Sequence, residues 1–163
     1  VAEVITAIDP GPTESAFCVI NAVRRPIWFD KVPNDVLLMQ LRSGAERGPV
    51  DQYAIEMIAA YGMPVGADVF DTCVWIGRFQ EAISHVTGSD ALLIKRNPVK
   101  VHHCHSSKAK DSNIRQALVD RFAKGQRNHG KGTKDAPGWF HGFHRDVWQA
   151  YALAVYVADT QTL

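Results

Sequence analysis

Three carboxylates stand where their surroundings make them costly. Asp9 ends the apolar run "VITAID" just before Pro10-Gly11-Pro12, Glu56 interrupts "AIEMI", and Asp146 opens the largely apolar "DVWQAYALAV". A carboxylate in such company is destabilising by several kcal/mol unless it is solvated, paired or coordinated to a metal. Each also has an ordinary reading. Asp before Pro-Gly is turn chemistry, and an acid in the first turn of a helix complements its dipole. Gathered at one point, the three would offer the hard oxygen ligands that Mg²⁺ takes. Two such ions, about 3.5–4 Å apart, clamp the attacking and leaving oxygens of an in-line phosphodiester displacement.

The elements around these residues follow from periodicity and punctuation. Residues 3–9 and 15–21 read as strands joined by the Pro-Gly-Pro turn, and 26–32 ("PIWFDKV") as a third, giving an antiparallel meander. Asn34 reads as the N-cap of a helix over 35–47 that stops at Gly48-Pro49. Residues 52–58 form a fourth strand, a parallel partner for the first, and 91–96 a fifth. Between them, 66–88 reads as a long helix with Val69, Cys73, Ile76, Phe79, Ile83 and Val86 in one apolar stripe. Phe70, Val74 and Trp75 add a second apolar side, which calls for a second partner. Helices over 111–123, capped by Asp111 or Ser112, and 145–159 close the chain. The expected fold is α/β, a five-stranded mixed sheet flanked by helices. In such sheets functional groups collect at the carboxyl ends of central strands, where Asp9 and Glu56 lie.

A chain of 163 residues, 46% hydrophobic and 21% charged, fits one globular domain over 1–163. No apolar run approaches the roughly 20 residues that cross a bilayer. No basic segment leads into an apolar one as a secretion signal does. Cys18, Cys73 and Cys104 have no framework spacing, which suits free thiols in a reducing cytoplasm. The net charge of +1 conceals segregation. Residues 1–94 carry 6 basic and 12 acidic side chains, whereas 95–134 carry 11 basic and 2 acidic. The basic stretch suits a polyanion such as nucleic acid, the plainer reading being a solvated surface. Within it, the Gly-rich 124–138 segment reads as a flexible basic loop without regular structure.

Four segments in order resemble the RuvC-type Holliday-junction resolvases of the ribonuclease H-like superfamily. "AIDPGPTESAFCVI" resembles that family's first strand, and "IEMIAAYGMPVGADVFDTCVWIGRFQEAI" its Glu-bearing strand and long central helix. "PVKVHHCHSSKAKDSNIRQALV" resembles its Pro-x-Val-Lys segment running to a second Lys and a helix, and "DVWQAYALAV" its closing acidic helix. The resemblance implies a structure-selective endodeoxyribonuclease that resolves four-way junctions by paired symmetric nicks. It implies two Mg²⁺ per site, with Mn²⁺ substituting, held by Asp9, Glu56 and Asp146. It also implies DNA contacts from Lys100 and Lys110, and a homodimer through the helix around 66–87. Lys108, Arg115, Lys124, Arg127, Lys131 and Lys134 would add phosphate contacts. A bacterial cytoplasm or an infected host cell is the implied setting, and the divergence from the bacterial pattern fits a bacteriophage member.

Three departures from the family pattern stand out. The family pairs two ligands three residues apart on its last helix. Here Phe143 and Gln149 flank Asp146 at that spacing, with His144 near enough to serve as ligand or base. The wedging aromatic three residues after the Glu is replaced by Ala59, and Tyr61 is the nearest ring that could stack on a base. The 124–138 loop is longer and more basic than usual. Two further function readings remain, a ribonuclease H-like nuclease acting on RNA·DNA hybrid or structured RNA, and a catalytically degenerate junction-binding protein. "HHCH" (102–105) lacks the second pair a zinc finger needs and reads as a phosphate-contacting loop. Asp68 and Asp71 read as first-turn acids of the long helix.

Overall fold

The computed structural model describes residues 4–44 and 49–161. Five strands, β1 (Ile5–Asp9), β2 (Glu14–Ile20), β3 (Pro26–Pro33), β4 (Gln52–Met57) and β5 (Leu92–Lys95), form one sheet in the order β3-β2-β1-β4-β5. β1 runs antiparallel to β2 and parallel to β4; β4 runs parallel to β5. This is the five-stranded mixed sheet expected from the sequence.

Alternation along the strands builds two cores. Ile5, Ala7, Ala16, Cys18 and Ala54 face α3 (Arg96–Cys104), α4 (Asp111–Phe122) and α5 (Val147–Thr160). Ile8, Phe17, Val19 and Ile55 face α1 (Asn34–Ser43) and α2 (Ala67–Thr87). Helix α5 is buried from Val147 through Val155, as its near-continuous apolar sequence requires.

Several expectations are corrected. Helix α1 ends at Gly44, which takes the left-handed conformation of a C-cap, and residues 45–47 of the expected helix lie outside the described residues. Asn34 does not cap α1. It is the first residue of that helix and is buried, and its Nδ2 donates to Gly11 O at 2.9 Å while its Oδ1 accepts from Ser15 Oγ at 2.6 Å. Arg96, expected as the last residue of the fifth strand, and residues 102–104, expected in a loop, belong to the helix α3; its Pro98 falls in the first turn, where no backbone N–H is needed. The stripe of α2 is Thr72, Ile76, Phe79, Ala82 and Ile83, whereas Val86 is exposed. The 124–138 segment forms no helix or strand but is closed by hydrogen-bonded turns: Gly132 N to Arg127 O at 2.9 Å and Gly138 N to Lys131 O at 3.0 Å. Gly130 admits no side chain, since a Cβ there would stand 2.6 Å from that of Ala123.

Candidate active site

The register of the sheet lines up one row of residues on the α5 face. Lys31 opposes Ala16, Ala16 opposes Asp9, and Glu56 opposes Ile94. β1 and β4 pair as far as Ile8 with Ile55, so the next step sets Asp9 beside Glu56. Both carboxylates therefore leave the sheet toward the start of α5, where Asp146 stands. The turn after Asp9 is held by Ser15 and Asn34, and Gly11 N also donates to Ser15 Oγ at 3.2 Å. Only glycine fits there, because a Cβ on Gly11 would lie 2.4 Å from Glu14 O.

Two cations serve this group. Lys31 Nζ reaches over the small Ala16 and donates to Asp146 Oδ2 at 2.5 Å. Arg96, the first residue of α3, donates through Nη1 to Glu56 Oε1 at 3.2 Å, and through Nη2 to Asp111 Oδ1 and to Gln149 Oε1 at 3.3 Å. Burial, then the negative charges of Glu56 and Asp146, push the Asp9 carboxyl well above its ordinary pKa. Burial raises Glu56 as well, against the opposing pull of Arg96. Among the described residues nothing donates a hydrogen bond to the Asp9 carboxylate.

The structure brings Asp9, Glu56 and Asp146 into one electrostatic group. It adds three members that the sequence reading did not assign to a site, Lys31, Arg96 and Asp111. It also seats Gln149, three residues after Asp146, against Arg96, whereas Phe143 is buried among Phe29, Phe140, Trp148 and Tyr151. His144 Nε2 lies 3.4 Å from Asp30 Oδ1, a separate pair on the surface. Lys100, one turn along α3 from Arg96, is near enough to lower the pKa of Glu56. Lys110 immediately precedes α4 and Lys108 is exposed beside it. Arg115 joins Asp111, Ser112, Arg145, Asp146, Trp148 and Gln149 around a cleft of about 330 Å³.

The remaining candidates lie farther off. Lys124, Arg127, Lys131 and Lys134 follow the far end of α4, whose 12 residues span roughly 18 Å. Tyr61 is 58% exposed in the loop between Glu56 and α2, with Met63 and Val65 exposed beside it. Two of the three histidines of "HHCH" are on α3 and turn to α5, His102 Nε2 meeting Asp159 Oδ2 and His103 Nε2 meeting Ala152 O, each at 2.8 Å, while His105 is the exposed C-cap of α3. That corrects the phosphate-contacting loop.

A divalent metal suits this group by donor chemistry. The candidate ligands are all carboxylate oxygens, and Asp9 is half-buried beside two like charges, with no hydrogen-bond donor among the described residues. Among the described residues, no three His, Cys, Asp or Glu side chains are already arranged around one point to hold an ion. Lys31 and Arg96 draw Asp146 and Glu56 aside instead.

A mixed sheet in this order, with acids at the carboxyl ends of β1 and β4 and at the start of α5, defines a ribonuclease H-like fold. More narrowly, the chain has the fold of the RuvC-type resolvases. It superposes on the Thermus thermophilus RuvC structure with a TM-score of 0.67 at 16% identity, covering 98% of this chain and 97% of that one. It matches T. thermophilus RuvC in complex with Holliday junction substrate with a TM-score of 0.64, also at 16% identity, over 96% and 95% of the two chains. No protein-family model and no curated protein sequence matches. Among the described residues no helix is long and apolar enough to cross a membrane.

Proposed function

We propose that this chain is a metal-dependent endodeoxyribonuclease that resolves four-way DNA junctions by paired symmetric nicks. The observation that carries the reading is the convergence of Asp9, Glu56 and Asp146 over one row of the sheet, within a fold also solved on a Holliday junction. Asp9, Glu56 and Asp146 would hold Mg²⁺, or Mn²⁺ in its place. When bound, the metal supplies charge neutralisation at the scissile phosphate and a water acidic enough to attack it. The chain's own residues prepare that site. Lys31 and Arg96 balance the charges of Asp146 and Glu56 before metal enters, and the turn clamped by Asn34 fixes Asp9.

Lys100 and Arg115 border the carboxylates, and with Lys108 and Lys110 would take the phosphates of the strand being cut. Lys124, Arg127, Lys131 and Lys134 would take a DNA arm farther out. Tyr61 would stack on an unpaired base, which its exposure allows. Two paired nicks require two sites, and the outward side of α2 offers an interface for a second copy: Phe70 and Val74 are each 62% exposed.

One observation favours a second reading. Gln149 stands at the spacing where the family has a ligand, and an amide there suits a junction-binding protein that no longer cuts. Incubation of the purified protein and Mg²⁺ with a four-way junction, a linear duplex and an RNA·DNA hybrid separates the readings. Symmetric nicks in the junction alone support resolution. Cutting of the hybrid alone makes it a different nuclease, and junction binding without cutting leaves the binding module.

A further inference from the structure

Arg96 is engaged more widely than a surface ion pair requires. One guanidinium joins β4 through Glu56, α4 through Asp111 and α5 through Gln149. The planar fork of arginine allows this; a lysine ammonium offers no comparable fixed set of directions. Of its two carboxylate partners, Glu56 is the one that the proposed function assigns to metal, and Asp111 stands beside it on the same guanidinium.

We propose that Arg96 is the resident counter-ion of this carboxylate group, a positioning residue that competes with divalent cations for Glu56 and Asp111. The inference rests on the metal-dependent reading of the site. In the metal-free protein Arg96 keeps acids on three elements from repelling one another and fixes the start of α4, with its basic residues, against them. Metal entry must then draw Glu56 away from Arg96, so the guanidinium sets how much metal the site demands. Gln149 offers Arg96 a neutral acceptor and adds no further negative charge.

The test is direct binding of Mn²⁺ to the metal-free full chain, followed by calorimetry, for wild type, Arg96→Gln and Arg96→Lys. Thermal unfolding in EDTA and at saturating Mn²⁺ runs alongside. Loss of a unit charge a few ångström from the ligands is worth about tenfold or more in affinity at a part-buried site. Arg96→Gln is therefore expected to bind Mn²⁺ about tenfold more tightly, to melt lower in EDTA, and to recover at saturating Mn²⁺. Arg96→Lys, which keeps the charge without the fork, should fall between the two, and it decides the matter if the Gln variant does not fold. Equal Mn²⁺ affinity in all the folded variants, with only the melting temperature lowered, overturns the role of Arg96 and makes it a structural tie. Absence of Mn²⁺ binding by every variant overturns the metal-dependent reading together with it.

Discussion

Lys31 and Asp146, 115 positions apart in sequence, meet at 2.5 Å across the methyl group of Ala16. The contact joins an outer strand of the sheet to the start of the most deeply buried helix, and it holds Asp146 over the row that carries Asp9. Lys31→Met is expected to lower junction cleavage by about tenfold or more, the penalty of a misplaced catalytic group. Junction affinity should change by less than about threefold, because a single phosphate-range charge is lost. Single-turnover cleavage and binding titrations, run on one preparation, check the split.

Asp9 predicts an unusual stability effect. Its carboxyl is raised by burial and by Glu56 and Asp146, so the folded state binds its proton more tightly than the unfolded chain does. Its contribution to stability is thus present in acid and is lost as pH rises through the raised value. Asp9→Asn should therefore melt higher than wild type at pH 7 in EDTA. The expected rise is roughly 2–4 °C, the equivalent of about 1 kcal/mol in a chain of this size. The difference should vanish below about pH 3.9, where the unfolded carboxyl is also protonated. Thermal melts at pH 3 and pH 7 give the comparison.

Asp159 behaves in the opposite sense. Burial alone would raise it, but hydrogen bonds from Arg121, His102 and Arg24 hold it well below the usual carboxylate range. These partners tie α4, α3 and the β2–β3 turn to the end of α5. Stability from this network is full above the unfolded carboxyl's ordinary pKa and is lost as pH falls through and below it. Asp159→Asn is expected to cost about 2 kcal/mol at pH 7, the value of hydrogen bonds to a charged group. Urea unfolding should show that deficit shrinking at pH 3.

The sheet and both strand-end acids were legible because alternation and the Asp-Pro-Gly turn are local signals. Asp9 and Glu56 could be paired from strand order alone, since each ends a central strand on the same pleat face. Asp146 was legible as an acid at the head of an apolar helix. Lys31 was not, because its row is set by the pairing of β2 with β3, and no local pattern carries that register. Arg96 and Asp111 were obscured for a related reason. Arg96 reads as the end of a strand and 102–105 as a loop, and tertiary packing of Val99 and of His102 and His103 makes 96–104 a helix. Asp111 looks like an ordinary helix-start acid until Arg96 is placed beside it. Asn34 has the residue type of an N-cap, but its amide satisfies the buried turn behind Asp9 instead.

The outward side of α2 supplies a prediction about assembly. Phe70 and Val74 are one turn apart and largely exposed, an arrangement that a monomer would leave in water. Light scattering should give a dimer for wild type and a monomer for Phe70→Asp/Val74→Asp. The double variant should retain its circular dichroism, because neither side chain contributes to the cores.

The central claim is that Asp9 belongs to a site that cuts junction DNA. Its most direct test is cleavage of an end-labelled synthetic four-way junction with Mg²⁺ by wild type and Asp9→Asn, with binding measured in parallel. Wild type is expected to leave paired nicks at symmetric positions, and Asp9→Asn to lose about a hundredfold to a thousandfold in cleavage, with junction affinity retained. Equal cleavage by both proteins, or no cleavage by wild type under Mg²⁺ or Mn²⁺, would contradict that claim.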